Sequence, residues 1–130
     1  MIIAVPVRHG EIGQDFEKAG TFRVFDIDNR SGKCLRTQDF EIPKEAETKI
    51  WPSMPRDLEI AEFLEANGVD SVICGGISKK MREALSKQSI QYYAGVSGDC
   101  KEAVSALLCG SLEFLDTQEA IDLYNSVLAR

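Results

Sequence analysis

No stretch of the 130-residue chain approaches the ~20 consecutive apolar residues a membrane span requires, so no transmembrane helix is expected. A basic excess is also missing. Against 21 Asp and Glu stand 15 Lys and Arg, a net charge of −6, which argues against a nucleic-acid partner but leaves room for a local basic pocket. Cysteine is sparse: Cys34, Cys74, Cys100 and Cys109 form no C-x-x-C pair and no zinc-ligand spacing. In a reducing compartment they stay thiols, so no disulfide framework is expected. There is one histidine, His9, and one tryptophan, Trp51. The chain holds no Walker motif, no G-x-S-x-G, no H-E-x-x-H and no internal repeat. No catalytic base or nucleophile therefore stands out, and a non-enzyme is expected.

What is present is ordinary globular composition, 44% hydrophobic and 28% charged, in a length that suits one domain. The opening Met1-Ile2-Ile3-Ala4-Val5-Pro6-Val7 lacks the basic start and cleavage site of a signal peptide. It reads as a strand covered on both faces, and the expected location is the cytoplasm. A polar loop from Arg8 to Gln14 follows. Thr21–Ile27 alternates as a second strand, Asp28-Asn29-Arg30-Ser31-Gly32 is a dense turn, and Cys34–Ile42 returns antiparallel as a third. Residues 43–57 hold three prolines and read as a long loop, either a lid anchored by Trp51 or a plain surface connection.

From Leu58 the period changes. Ile60, Ala61, Phe63 and Leu64 form an apolar helical face that Asn67-Gly68 closes. Val69–Cys74 is a short strand, and Ser78 caps a helix carrying Met81, Ala84 and Leu85. Ile90–Ala94 is the next strand. Asp99, with Glu102 three residues on, caps a helix that Cys109-Gly110 ends. An amphipathic helix is expected near residues 116–128. The fold class is α/β, β-β-β-α-β-α-β-α plus a C-terminal helix. The strands Ile2–Val7, Val69–Cys74 and Ile90–Ala94 are expected to be adjacent and parallel.

Ligands of open α/β sheets bind beyond the carboxyl ends of the parallel strands. Three loops leave those ends: Arg8–Gln14, Cys74–Ser78 and Gly95–Asp99. The second and third contain glycines and run into helix N-termini, where amides and the dipole favour an anion. Candidate binding residues are Arg8, His9, Lys18, Gly75, Gly76, Ile77, Ser78, Ser97 and Gly98. Lys79 and Lys80 add charge nearby or are plain helix surface. Candidate metal ligands are His9, Cys74 and Cys100, the last because a thiol at a helix start can lose its proton readily. Each also has an ordinary reading: a solvated loop histidine and two buried cysteines. Asp26 and Asp28 could hold Mg²⁺, but they border a turn where aspartate is common.

Several stretches together resemble the dinitrogenase iron–molybdenum cofactor biosynthesis family over residues 1–112. They are Met1–Val7, Phe16–Phe22 leading to Asp26, Ala61–Leu64 with Gly68-Val69-Asp70, Cys74-Gly75-Gly76-Ile77-Ser78, Gly95 with Lys101–Val104, and Gly110-Ser111-Leu112. Residues 113–130 then form a helical extension. The resemblance implies a mixed sheet with ribonuclease H-like topology. It also implies a non-catalytic role: carriage of an iron–molybdenum or molybdenum–copper sulfur cluster between a donor and an acceptor protein. Where the family commonly carries His-Phe-Gly-Arg, this chain reads Asp15-Phe16-Glu17-Lys18. A ligand role for that histidine therefore does not transfer to Asp15.

Three functions are consistent with this reading. The first is cluster carriage, with the anion docked on backbone amides and cations rather than ligated. The second is a protein-interaction module that has lost cluster binding. The third is a small enzyme acting on a phosphate-containing ligand at the glycine turns.

Overall fold

The computed structural model describes residues 1–14, 16, 20–42 and 56–114. The long loop around Trp51 and the C-terminal helix expected after residue 115 lie outside the described residues, as do Asp15 and Lys18. The strands are β1 (Ile2–Arg8), β2 (Glu11–Ile12), β3 (Thr21–Ile27), β4 (Cys34–Glu41), β5 (Ser71–Ile73) and β6 (Gln91–Tyr93). The helices are α1 (Arg56–Ala66), α2 (Lys79–Lys87) and α3 (Cys100–Leu108).

The sheet order is β4-β3-β1-β5-β6, with the short β2 paired to β1. β3 pairs antiparallel with β1 and β4 antiparallel with β3, while β5 and β6 run parallel to β1. The three strands expected to be adjacent and parallel are so, although β5 and β6 are shorter than the apolar runs that contain them. The α/β fold with a mixed sheet and ribonuclease H-like strand order stands. One strand was not foreseen. His9 and Gly10 both take positive φ (54° and 81°), as a two-residue hairpin turn requires, and this brings Arg8 opposite Glu11. The described part thus reads β-β-β-β-α-β-α-β-α.

Alternation along each strand sorts the core into two layers. On one face Ala4, Phe22, Val24 and Val72 meet Ile60, Ala61 and Leu64 of α1 and Met81 and Leu85 of α2. On the other, Ile3, Val5, Phe25, Ile27 and Ile73 meet Cys100, Ala103 and Val104 of α3. Each fully buried large side chain contributes ~1.5–3 kcal/mol relative to exposure.

The caps form as the sequence suggests. The Ser78 hydroxyl accepts from the Met81 amide (3.1 Å), and an Asp99 carboxylate oxygen accepts from the Glu102 amide (3.0 Å). After α1, the Gly68 and Val69 amides close on the Glu65 and Leu64 carbonyls. α1 begins at Arg56 rather than Leu58.

Candidate functional site

The three loops at the carboxyl edge of the parallel strands are hydrogen-bonded into one surface. The Gly95 amide donates to the Gly75 carbonyl (2.8 Å) and the Val96 amide to the Cys74 carbonyl (3.0 Å), which joins the second and third loops. The first loop crosses both. The Gly76 amide donates to the Gln14 carbonyl (2.7 Å), the Phe16 amide to the Gly76 carbonyl (3.3 Å), and the Ile12 amide to the Gly98 carbonyl (2.8 Å). Glu11 also bridges Asp99 antiparallel. Phe16 anchors this crossing. Its ring is fully buried and meets Phe22 edge-on at 5.3 Å.

This stitching gives the Gly-Gly turn a role that glycine-turn reasoning does not supply. A Cβ on Gly75 would stand 2.9 Å from the Gln14 Cα and 2.8 Å from its Oε1. Gly75 therefore lacks a side chain because the chain's own first loop lies against it. The single N–H of Gly76 is engaged by Gln14 and is not presented to a ligand. Ile77 is fully buried in the core. Of the candidate binding residues in this loop, Ser78 at the start of α2 is the one at the surface, half-buried.

The two helix starts differ in charge. α2 is capped by a neutral hydroxyl, has no acid in its first turn, and carries exposed Lys79 and Lys80. Its dipole and its side chains both favour an anion. α3 is capped by a carboxylate and has Glu102 in its first turn. A cleft of about 580 Å³ beside it is lined by Asp99, Glu102 and Glu113, and among the described residues no Lys or Arg lines it. The Asp99 carboxylate already answers the dipole there, so a second anion near Ser97 and Gly98 meets repulsion. Both helix starts were candidates, and the charges favour that of α2. Arg8 and His9 are exposed at the first turn.

The two cysteine candidates are on opposite faces of the sheet, Cys74 packed with α1 and α2, Cys100 with α3. No metal can be shared between them. Both are fully buried. Burial pushes the Cys74 thiol up to about 12, and it raises the Cys100 thiol against the opposing pull of Arg23. At neutral pH both are protonated, whereas a metal ligand must be thiolate. The rule that a helix start activates a thiol fails at Cys100 because burial outweighs the dipole. Among the described residues no group of three His, Cys, Asp or Glu side chains is placed to hold a metal ion.

Asp28 is likewise committed. Its carboxylate accepts from the Arg30 amide (3.1 Å) and the Ser31 hydroxyl (2.8 Å), and those bonds hold it below the usual carboxylate range. It builds the turn after β3. Native alkylation at pH 8 reads the thiols directly. Iodoacetamide is expected to modify the exposed Cys34 and Cys109, leaving Cys74 and Cys100 until the chain is denatured. Mass spectrometry showing native modification of Cys74 would contradict its burial.

Sequence reasoning missed Gln14, which packs on Gly75, and β2, which carries the loop to Asp99. The His9-Gly10 pair followed by Glu11-Ile12 was the available signal for the hairpin. Among the described residues no helix is long and apolar enough to cross a membrane.

Solved structures share this fold. The protein PH0822 aligns over 90% of this chain and 98% of its own, with a TM-score of 0.73 and 19% identity. The apo orange protein of Desulfovibrio gigas aligns over 88% and 92%, at 0.67 and 18%. The Methanocaldococcus jannaschii protein MJ0327 aligns over 89% and 95%, at 0.66 and 20%. No curated protein matches by sequence. Residues 1–110 match the family described as dinitrogenase iron-molybdenum cofactor, and the chain belongs to that family.

Proposed function

We propose that the protein binds and hands on an anionic metal–sulfur cluster or its precursor, of iron–molybdenum or molybdenum–copper type, without turning it over. The observation that carries this is the charge asymmetry of the stitched edge. In a chain of net charge −6, α2 offers a neutral cap, a favourable dipole and two exposed lysines in its first turn. Family membership supplies the class of cargo.

A thiometallate already has its metal saturated by sulfide, so it needs hydrogen-bond donors and positive charge rather than a protein ligand. Lys79 and Lys80 provide the charge, with Arg8 on the first loop as a further candidate and Lys18, outside the described residues, as another. His9, Cys74 and Cys100 are not required by this reading. Two protonated, buried thiols on opposite faces favour docking over ligation. Loose electrostatic docking also suits transfer to an acceptor protein, because no covalent bond has to break.

The test is anaerobic loading with tetrathiomolybdate, with and without copper or iron, followed by desalting, metal analysis and a visible spectrum. Retained metal is expected to fall as salt rises, since screening acts within about 8–10 Å near physiological ionic strength. Lys79→Gln with Lys80→Gln is expected to weaken binding by about 5–30-fold, on the scale of two helix-terminus charges. His9→Ala and Cys74→Ala should bind with modest loss. Salt-independent binding that either of these two variants abolishes would establish ligation instead. Metal retained under no condition would favour the interaction-module reading, and turnover of a phosphate ester the enzymatic one.

A further inference from the structure

Among the described residues, the face of the sheet opposite α1 and α2 is not fully covered. Four inter-strand gaps of ~4.8 Å make the sheet about 19 Å wide, whereas a helix with its side chains spans ~10–12 Å. Among the described residues α3 is the only helix on this face, packed on β1 and β5 residues such as Ile3, Val5 and Ile73. Between α3 and the β3–β4 hairpin a cleft of about 290 Å³ remains. Its floor is apolar, formed by Phe25, Ile27 and Val104. Leu108 at its side is 38% exposed.

The charge of this cleft runs against that of the chain. The protein carries −6 overall, yet among the described residues the charged groups lining the cleft are Arg23 and Lys101. Arg23 is answered by Asp39, which accepts from its Nε at 2.9 Å and its Nη2 at 3.2 Å. Lys101 is exposed on the first turn of α3 and makes no ion pair or hydrogen bond among the described residues. Among the described residues the cleft thus joins an apolar floor to one cation without an ion-pair partner. Its volume is about twice that of a ~150 Å³ cavity that takes up benzene, which suits a two-ring body.

We propose that this cleft is a second binding site, separate from the loop edge, for a small carboxylate with an aromatic or aliphatic body. The body lies on Phe25, Ile27 and Val104, and the carboxylate pairs with Lys101. Orientation follows from chemistry, because the apolar floor excludes the charge and Lys101 stands at the solvent side.

The experiment uses the full chain, 2-naphthoate as probe and neutral 2-naphthamide as control, followed by ¹⁵N–¹H correlation spectra. Saturable shifts are expected at the amides of Phe25, Ile27 and Val104, with naphthamide about fivefold weaker, the scale of one exposed charge pair. Lys101→Gln, at an exposed position, should remove that fivefold difference without changing naphthamide binding. Ser105→Trp, at an exposed position lining the cleft, should block both probes. Equal affinity for the two probes, no saturable shift, or undiminished binding to Ser105→Trp would overturn the proposal. So would concentration-dependent shifts at the same amides without probe, which would assign the cleft to a second copy of the chain. None of these readouts involves metal retention, so this site and the cluster site fail independently.

Discussion

Phe16→Ala is expected to lower stability by about 3–5 kcal/mol, the range for removing a fully buried phenylalanine. The ring is 0% exposed, packs edge-on against Phe22 with centroids 5.3 Å apart, and belongs to the layer shared with α1 and α2. Its backbone amide also joins the Gly76 carbonyl, so the same residue fixes a core position and the crossing of two loops. The loss should therefore show twice. Urea unfolding should give a lower midpoint with a similar slope. Tetrathiomolybdate retention should also drop at urea concentrations where the variant is still folded, because the first loop is no longer held against the second. A Phe16→Leu variant refills most of the volume and should recover most of both. A stability loss below about 1 kcal/mol for the alanine variant would mean that the loop is not anchored by this ring.

Gly75→Ala is the second large effect, and here the cause is overpacking rather than a cavity. The new Cβ would stand 2.9 Å from the Gln14 Cα, a backbone atom that cannot rotate away. Inserting one methyl into such a contact costs about 1–3 kcal/mol. The Gln14 side chain contributes too, with Oε1 at 2.8 Å, but it is flexible, so Gln14→Ala should relieve only part of the clash. The double variant separates the two contributions. If Gly75→Ala with Gln14→Ala recovers full stability, the side chain alone caused the conflict. If most of the loss persists, the backbone approach is responsible, which is the expected result. Cluster affinity should fall in Gly75→Ala because the first loop moves, although no ligand atom need touch residue 75. A substitution at this turn therefore does not by itself separate a binding role from a structural one. Lys79 and Lys80, exposed and outside the core, make that separation cleaner.

The metal-ligand candidates show where residue-type reasoning runs short. Cys100 begins a helix, and that position favours a thiolate when solvent reaches it. In the fold the thiol faces the α3 layer at 0% exposure, and burial dominates. Cys74 follows a buried strand and points into the other layer. Strand and helix positions were legible for both, but the layer each side chain enters depends on how α3 packs on the sheet. Asp99 shows the converse. Its capping role was legible from the Glu102 spacing. That the same carboxylate would disfavour an anion beside Ser97 follows from that cap, yet the acidic cleft with Glu113 appears only once residue 113 is brought back alongside α3.

By itself the sequence determined the described elements other than β2, and most of their ends. The Ser78 and Asp99 caps, the Asn67-Gly68 stop, the turn at Asp28–Gly32 and the parallel placement of β1, β5 and β6 all follow from it. The caps, the stop and the turn rest on hydrogen bonds within about four residues and on side-chain periods of 2 and 3.6, so a short window contains their cause, whereas the parallel placement follows from the handedness of β-α-β crossovers. Only the tertiary structure decided that Gln14 lies on Gly75, that the Gly76 amide is already engaged, that two thiols face opposite layers, and that a cationic cleft opens beside α3. Each of these depends on contacts between residues far apart in the chain. Their distances are set by packing of the whole sheet, and no local pattern encodes them.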